Sequence, residues 1–124
     1  MWIEYNPNPL GKRVGDCVVR AISKALNKPW QETYTDLCVQ GFMLGDLPSS
    51  NTVWSVYLKH KGFKRHTVDD CPDCYSIEDF CQEHPQGVFV IGTGSHTVCV
   101  CDGCYYDAWQ SGDETPLYYF EKEI

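Results

Sequence analysis

The chain has 124 residues, of which 43% are hydrophobic and 14% aromatic, so we expect one globular domain over residues 1–124 and not a disordered chain. A formal net charge of −7 argues against nucleic acid as a partner, because binding to a phosphate backbone requires a basic surface. No apolar run approaches the roughly 20 residues of a membrane-spanning helix, and the N-terminus lacks a basic leader with an apolar core, so we expect a cytoplasmic protein with no membrane partner.

Eight cysteines are present in the chain. In a secreted domain this number would indicate disulfides, but in a cytoplasmic protein we expect the thiols to stay reduced. Three uses then remain for them: small apolar core residues, metal ligands or a nucleophile.

The first helix is predicted directly after an extended N-terminal arm. Residues 1–15 contain two prolines and two glycines, and within them only Met1–Tyr5 suits an edge strand. From Asp16 onwards, apolar residues recur at helical spacing, which predicts a helix that ends near Asn27. We expect Asp16 to cap this helix, which places Cys17 in its first turn.

The remaining elements follow from apolar periodicity and from glycine and proline breakers. They are a helix over 30–39, a helix capped by Ser50 or Asn51 that ends at Lys61, a strand over 63–68, a short helix capped by Ser76, a central strand over 88–91, two strands flanking Asp102-Gly103 and a last strand over 116–120. The loop over 41–51 is a candidate wall of a binding cleft. Helices first and an antiparallel sheet afterwards are typical of the α+β class.

The two strands that flank Asp102-Gly103 are predicted to form a hairpin. This dipeptide tolerates the positive φ angles of a type I′ turn, so the strands should pair antiparallel around it. The expected partners are Cys101 with Cys104, Val100 with Tyr105, Val98 with Asp107 and His96 with Trp109.

This register makes His96 and Asp107 diagonal neighbours on one face of the hairpin, where two polar side chains can meet. We expect that face to meet Cys17, while the opposite face carries the cysteines at 99, 101 and 104. An imidazole beside a carboxylate is an oriented base that can activate a nucleophile.

Cys17 is the candidate nucleophile. A cysteine in the first turn of a helix ionises easily, because free backbone N–H groups and the helix dipole stabilise a thiolate. A nearby imidazolium lowers the pKa of such a thiol further. Considered alone, Cys17 is better explained as a small apolar core residue, so its interpretation as a nucleophile depends on His96 and Asp107.

Three features occur together: Gly15-Asp16-Cys17 at a helix start, His96 at the opening of a strand, and Asp107-Ala108-Trp109 on the next strand. In this combination the chain resembles the papain-like cysteine peptidase superfamily. Compact bacterial or phage types, such as double-glycine leader peptidases and small cell-wall amidases, are closer to it in size than papain. The resemblance implies a papain-like α+β fold, with N-terminal helices packed on a C-terminal antiparallel β-sheet.

The resemblance also implies a function. It suggests a thiol protease or amidase that hydrolyses a peptide or amide bond through a thioester, with a peptide or protein substrate and no cofactor. Cys17 would be the nucleophile, His96 the base, and Asp107 the residue that fixes the histidine tautomer. Trp109 would shield the bond between His96 and Asp107.

One feature departs from the superfamily pattern. Its members usually carry a glutamine about six residues before the cysteine, where the side chain donates a hydrogen bond to the oxyanion, and here Gly11 stands in that position. We expect Asn8 to replace this donor, with Lys12 and Asn6 as alternatives from the same arm. The backbone N–H of Cys17 would be a second donor.

Two other interpretations stay open. Cys71-Pro72-Asp73-Cys74 and Cys101-Asp102-Gly103-Cys104 are two CxxC pairs, a pattern that structural zinc sites use. We expect no metal, because Cys99 in the same strand indicates cysteine used as apolar filler. Alternatively, the chain is a catalytically silent interaction module of papain-like fold that binds a host or partner protein. The sequence does not predict an oligomeric state.

Overall fold

The computed structural model describes residues 1–69 and 75–123. These residues form four helices and a six-stranded mixed sheet, which confirms the α+β class. None of their helices combines the length and the apolar character that crossing a bilayer requires. In chain order the elements are β1 (Trp2–Glu4), α1 (Cys17–Leu26), α2 (Trp30–Leu44), α3 (Asn51–His60), β2 (Phe63–Thr67), α4 (Ile77–Glu83), β3 (Val88–Gly92), β4 (Thr97–Cys101), β5 (Cys104–Asp107) and β6 (Tyr118–Lys122).

The strands lie in the order β1-β5-β4-β3-β6-β2 across the sheet. The predicted central strand, β3, is antiparallel to both of its neighbours, β4 and β6. Residues 2–4 form the predicted edge strand, but it runs parallel to β5, with Glu4 opposite Asp107. The expectation of a purely antiparallel sheet is therefore wrong. No hairpin joins β1 to β5, so the turn geometry does not fix their relative direction.

Helices cover both faces of the sheet. The core beneath α1, α2 and α3 is formed by Val18, Ala21, Ile22, Ala25, Leu37, Trp54, Tyr57, Leu58, Phe63, Val90, Cys99 and Phe120. The core beneath α4 is formed by Ile77, Phe80, Cys81, Phe89, Ile91, Val98, Val100 and Tyr105. Burial of the first cluster holds α1 against the face of the sheet, over β3, β4 and β5.

The second helix is longer than predicted. It continues to Leu44, so Gly41, which we predicted to be a loop residue, lies inside the helix, where it is buried. The helix ends at Gly45, whose φ of 71° is the left-handed conformation that glycine adopts readily. At α4, by contrast, the predicted cap is confirmed, since Ser76 and Asp79 form a capping box.

We expect Gly41→Ala to destabilise the protein, although alanine is the better helix former. A Cβ at this position would lie 2.7 Å from the carbonyl oxygen of Asp46 and 3.2 Å from the backbone nitrogen of Pro48. Alanine gains about 1 kcal/mol in helix propensity, but pressing a methyl group into packed backbone costs about 1–3 kcal/mol. In urea unfolding, Gly41→Ala should have a lower free energy of unfolding than the control Gln31→Ala, which changes an exposed residue of the same helix. A higher value would contradict this packing.

Candidate active site

The candidate site lies where α1 and the β4–β5 hairpin meet. The hairpin has the predicted register, with Cys101 opposite Cys104 and Val100 opposite Tyr105. Its turn residues have φ angles of 50° at Asp102 and 81° at Gly103, as a type I′ turn requires. His96 precedes the first residue of β4, and Asp107 is the last residue of β5.

His96 and Asp107 are in direct contact. The Nε2 atom of His96 lies 2.6 Å from Oδ2 of Asp107. The side chains are 10% and 0% exposed, respectively. Because Nε2 is engaged with the carboxylate, Nδ1 is the ring nitrogen that remains for a second partner.

The carboxylate of Asp107 accepts hydrogen bonds at both oxygens. Oδ1 accepts from Arg20 Nη2 at 2.9 Å and from the backbone N–H of Ala108 at 2.8 Å. Oδ2 accepts from the Ser111 hydroxyl at 2.5 Å, in addition to its contact with His96. Burial by itself raises the pKa of Asp107, but the hydrogen bonds from His96 and Ser111 and the charges of His96 and Arg20 lower it overall.

The side chain of Cys17 is half-buried and interacts with the imidazole of His96. Burial raises the pKa of the Cys17 thiol, but the hydrogen-bonding interaction with His96, the His96 charge, the Thr97 backbone and Arg20 together bring it below its ordinary value. Burial likewise lowers the pKa of His96, but its interactions with Asp107 and Cys17 raise it to about 9. Both shifts favour a thiolate–imidazolium pair.

Arg20 and Ser111 contribute to the site, and neither was predicted from the sequence. Arg20 Nη1 donates to Asp16 Oδ1 at 2.6 Å, and Trp30 Nε1 donates to Asp16 Oδ2 at 2.9 Å. We expected the Asp16 side chain to cap α1, but it makes no capping hydrogen bond. Its carboxylate instead accepts from these two donors. The spacing of Asp16 and Arg20 at i, i+4 is a local signal of this pair, but no such signal links Arg20 to Asp107.

Both Cys17 and His96 open into a cavity of about 500 Å³. Its apolar wall is formed largely by Val14, Val18, Val19, Trp30, Tyr34, Leu37, Pro48 and Tyr118. Trp30 and Tyr34 stack on each other with ring centroids 5.1 Å apart. Pro48 and Ser49 belong to the loop that we predicted as a cleft wall, which agrees with their place in the lining.

Trp109 lies over the histidine, as expected. Its ring centroid is 4.8 Å from that of His96, with an angle of 40° between the rings. This contact covers one side of the His96 ring, while Trp109 itself remains 45% exposed.

Asn8 is not brought to the site. Its Oδ1 accepts from the backbone N–H of Leu10 at 2.9 Å, and its carbonyl accepts from Gly11 N–H at 2.9 Å. These bonds hold Asn8 in a local turn of the arm, and it does not line the cavity. The structure therefore does not support Asn8 as an oxyanion donor. The uncapped first-turn amides of α1, beginning with Cys17, stand at the cavity instead.

The two faces of the hairpin are not arranged as we predicted. Cys99 is fully buried in the core beneath α1, and Cys17 packs against this same cluster. The helix that carries Cys17 thus covers the cysteine face of the sheet. Cys17 and His96 can still meet because His96 lies before β4 begins, where strand alternation no longer fixes the direction of a side chain.

The zinc interpretation involves residues that the structure does not describe. Cys71 and Cys74 lie outside the described residues, while Cys101 and Cys104 are partners across the hairpin turn. Within residues 1–69 and 75–123, no group of three or more histidine, cysteine, aspartate or glutamate side chains is placed to hold a metal ion.

Comparison of the chain with protein-family models, with curated proteins and with solved structures found no match.

Proposed function

We propose that the protein is a cysteine hydrolase of papain-like type, which cleaves a peptide or amide bond with Cys17, His96 and Asp107. The main support is that one imidazole contacts a carboxylate at 2.6 Å and lines the same cavity as a thiol whose pKa it lowers. Both reactive groups open into a cavity that can receive a substrate. A cysteine that merely fills core space would have no reason to carry this arrangement.

In the proposed acylation step, the Cys17 thiolate attacks the substrate carbonyl carbon, and the carbonyl electron pair moves to oxygen. The backbone N–H groups at the start of α1 stabilise this oxyanion, since no side chain occupies them. The intermediate then collapses: the C–N bond breaks, and the His96 imidazolium gives its proton to the departing amine. The product that stays on the enzyme is a thioester of Cys17.

In the deacylation step, neutral His96 takes a proton from water, and the resulting hydroxide attacks the thioester carbonyl. The C–S bond breaks, which releases a carboxylic acid and returns Cys17 to the thiolate while His96 keeps the proton. Asp107 holds His96 with Nε2 towards the carboxylate and stabilises the imidazolium in both steps. Ser111 donates to Asp107, and Trp109 covers one side of the His96 ring.

The cavity wall suggests that the acyl group next to the scissile bond is apolar. The aromatic pair of Trp30 and Tyr34 forms one side of the cavity. The carboxylate of Asp16, which also lines it, is already paired with Arg20 and Trp30. A charged substrate side chain would therefore lose hydration without gaining a partner.

An apolar alkylating probe should accordingly react faster with Cys17 than a charged one. We expect N-phenethyl iodoacetamide to alkylate Cys17 about 10-fold faster than N-carboxyethyl iodoacetamide, because burial of an aromatic group contributes about 1.5–3 kcal/mol. Tyr34→Ala should reduce this preference, whereas Phe42→Ala, at an exposed position on the same helix, should not. Peptide mass spectrometry measures the rates. Equal rates for both probes in the wild-type protein would contradict an apolar site.

A second candidate function is binding without catalysis. The outer side of α2 and the loop after it expose a set of large apolar side chains, namely Val39, Phe42, Met43, Leu44 and Leu47. Phe42 is 86% exposed, and exposed apolar clusters often contact partner proteins. This surface would serve an interaction module of the same fold.

Cysteine reactivity separates the two functions. With iodoacetamide below the concentration of protein, an activated Cys17 should be alkylated well ahead of the other cysteines at neutral pH. Cys104, which is also half-exposed, is the internal control. Peptide mapping by mass spectrometry gives the order of labelling, and equal labelling of Cys17 and Cys104 would favour the binding module.

A further inference from the structure

We propose that Asp16 and Arg20 are positioning residues of this site, which hold the start of α1 against the end of β5 so that Cys17 and His96 meet in reactive geometry. This inference rests on the proposed function, because it assigns a role towards the Cys17 thiolate. Neither residue touches the substrate carbonyl in the mechanism above.

A continuous series of hydrogen bonds connects the cavity wall to the catalytic histidine. Trp30 Nε1 donates to Asp16 at 2.9 Å, Arg20 Nη1 donates to Asp16 at 2.6 Å, and Arg20 Nη2 donates to Asp107 at 2.9 Å. Asp107 in turn contacts His96 at 2.6 Å. The guanidinium uses two separate nitrogens for its two carboxylates, so its planar fork fixes their relative position.

The side chains that form these hydrogen bonds are buried, so breaking one of the bonds is costly. The side chains of Arg20, Asp16 and Asp107 are 6%, 4% and 0% exposed. A buried guanidinium that lost one carboxylate would leave uncompensated charge, so the three groups must stay together in the folded protein. Since Arg20 lies one turn after Cys17 on α1, its bond to Asp107 limits how far the thiol can move from the hairpin.

The net charge of the network favours the His96 imidazolium, and the Arg20 charge also favours the Cys17 thiolate. The carboxylates of Asp16 and Asp107 and the guanidinium of Arg20 carry a net charge of −1. Protonation of His96 neutralises this charge. Arg20 in addition contributes to the lowered pKa of both Cys17 and Asp107. A network built only for stability would not need its excess charge directed at the histidine.

Two tyrosines near the network stay neutral. Burial raises the pKa of Tyr5 to about 12, although the Arg20 charge opposes this rise. Burial also raises the pKa of Tyr105, with a smaller contribution in the same direction from Asp107. Neither phenol therefore ionises in the range where Cys17 and His96 titrate.

The test is the pH dependence of Cys17 alkylation by iodoacetamide. In Arg20→Met, we expect the pH midpoint of alkylation to move upward and the rate at neutral pH to fall about 10-fold, equivalent to one pKa unit. Arg20→Lys, which keeps the charge but not the fork, should restore part of the shift. Lys24→Met removes a positive charge from the same helix, where Lys24 stacks on Tyr106, and should leave the midpoint unchanged.

Asp16→Asn gives a second readout, which does not depend on removing the buried guanidinium. It keeps a hydrogen-bond acceptor for Arg20 but removes a negative charge, so the midpoint should move downward, opposite to Arg20→Met. Midpoints that stay at the wild-type value in Arg20→Met and Asp16→Asn, even with lowered melting temperatures, would show that the pair is only structural and would overturn the inference. A wild-type Cys17 that titrates like Cys104 would instead contradict the proposed function itself.

Discussion

Cys17→Ala should abolish hydrolysis by the protein, with a fall in rate of about 10⁴-fold or more, because removal of a nucleophile leaves only binding and oxyanion stabilisation. Cleavage of peptide p-nitroanilides with an apolar residue before the scissile bond provides the measurement. The fold should be kept, since Cys17 is half-buried at a helix start and alanine suits that position.

Cys38→Ala is the matched control for this substitution. Cys38 is also a half-buried free cysteine in a helix, but it does not line the cavity. Its replacement should leave the rate within about twofold of the wild type, a change of less than about 0.5 kcal/mol in activation free energy. Retention of the activity in Cys17→Ala would exclude Cys17 as the nucleophile.

His96→Gln should cause the second large loss, again about 10⁴-fold, because it removes both proton-transfer steps. The glutamine amide can still donate to Asp107, so the carboxylate keeps a partner and the fold should survive. Without the imidazolium, the pKa of Cys17 should rise to at least the ordinary value of about 8.5 for a free thiol. The same p-nitroanilide assay, together with the pH dependence of alkylation, measures both effects.

His84→Gln is the control for the histidine substitution. His84 follows α4, is half-buried and stacks on Phe80 with ring centroids 3.9 Å apart, beside the core on the other face of the sheet. The substitution His84→Gln should change the stability of the protein but not the pH dependence of Cys17 alkylation. An unaltered thiol pKa in His96→Gln would mean that the histidine does not activate Cys17.

The parts of the site that the sequence predicts are those set by short-range rules. Asp102-Gly103 requires a type I′ turn, and that turn fixes the register in which His96 and Asp107 become neighbours. The helix start at Cys17 follows from the glycine before it and the apolar spacing after it. These local rules predict that His96 and Asp107 are neighbours and that Cys17 begins a helix, but the packing of that helix against the hairpin depends on tertiary contacts.

Tertiary packing decides what the sequence does not predict. The bond between Arg20 and Asp107 joins residues 87 positions apart, and nothing local to either residue indicates it. The parallel direction of β1 and the burial of Cys99 beneath α1 likewise depend on how distant elements pack. The extension of α2 through Gly41 depends on the loop that folds back against it.

The oxyanion donor illustrates the same limit. The position of Asn8 in the N-terminal arm suggests it as the oxyanion donor. In the structure its side-chain oxygen accepts a hydrogen bond from the Leu10 N–H, within the arm. Asp16, expected as a cap, is instead bound by Arg20 and Trp30, which leaves the first amides of α1 without a side-chain partner. Because the Asp16 side chain does not cap α1, the backbone N–H groups at the start of this helix can act as oxyanion donors in the proposed mechanism.

The most direct test of the proposed function is the protonation state of Cys17. The ultraviolet absorbance of thiolate, measured against pH as the difference between the wild-type protein and Cys17→Ala, isolates this one thiol. We predict a Cys17 midpoint below the ordinary thiol pKa, and a second change near pH 9, where His96 loses its proton. A single midpoint at or above the ordinary value would contradict an activated nucleophile at this site.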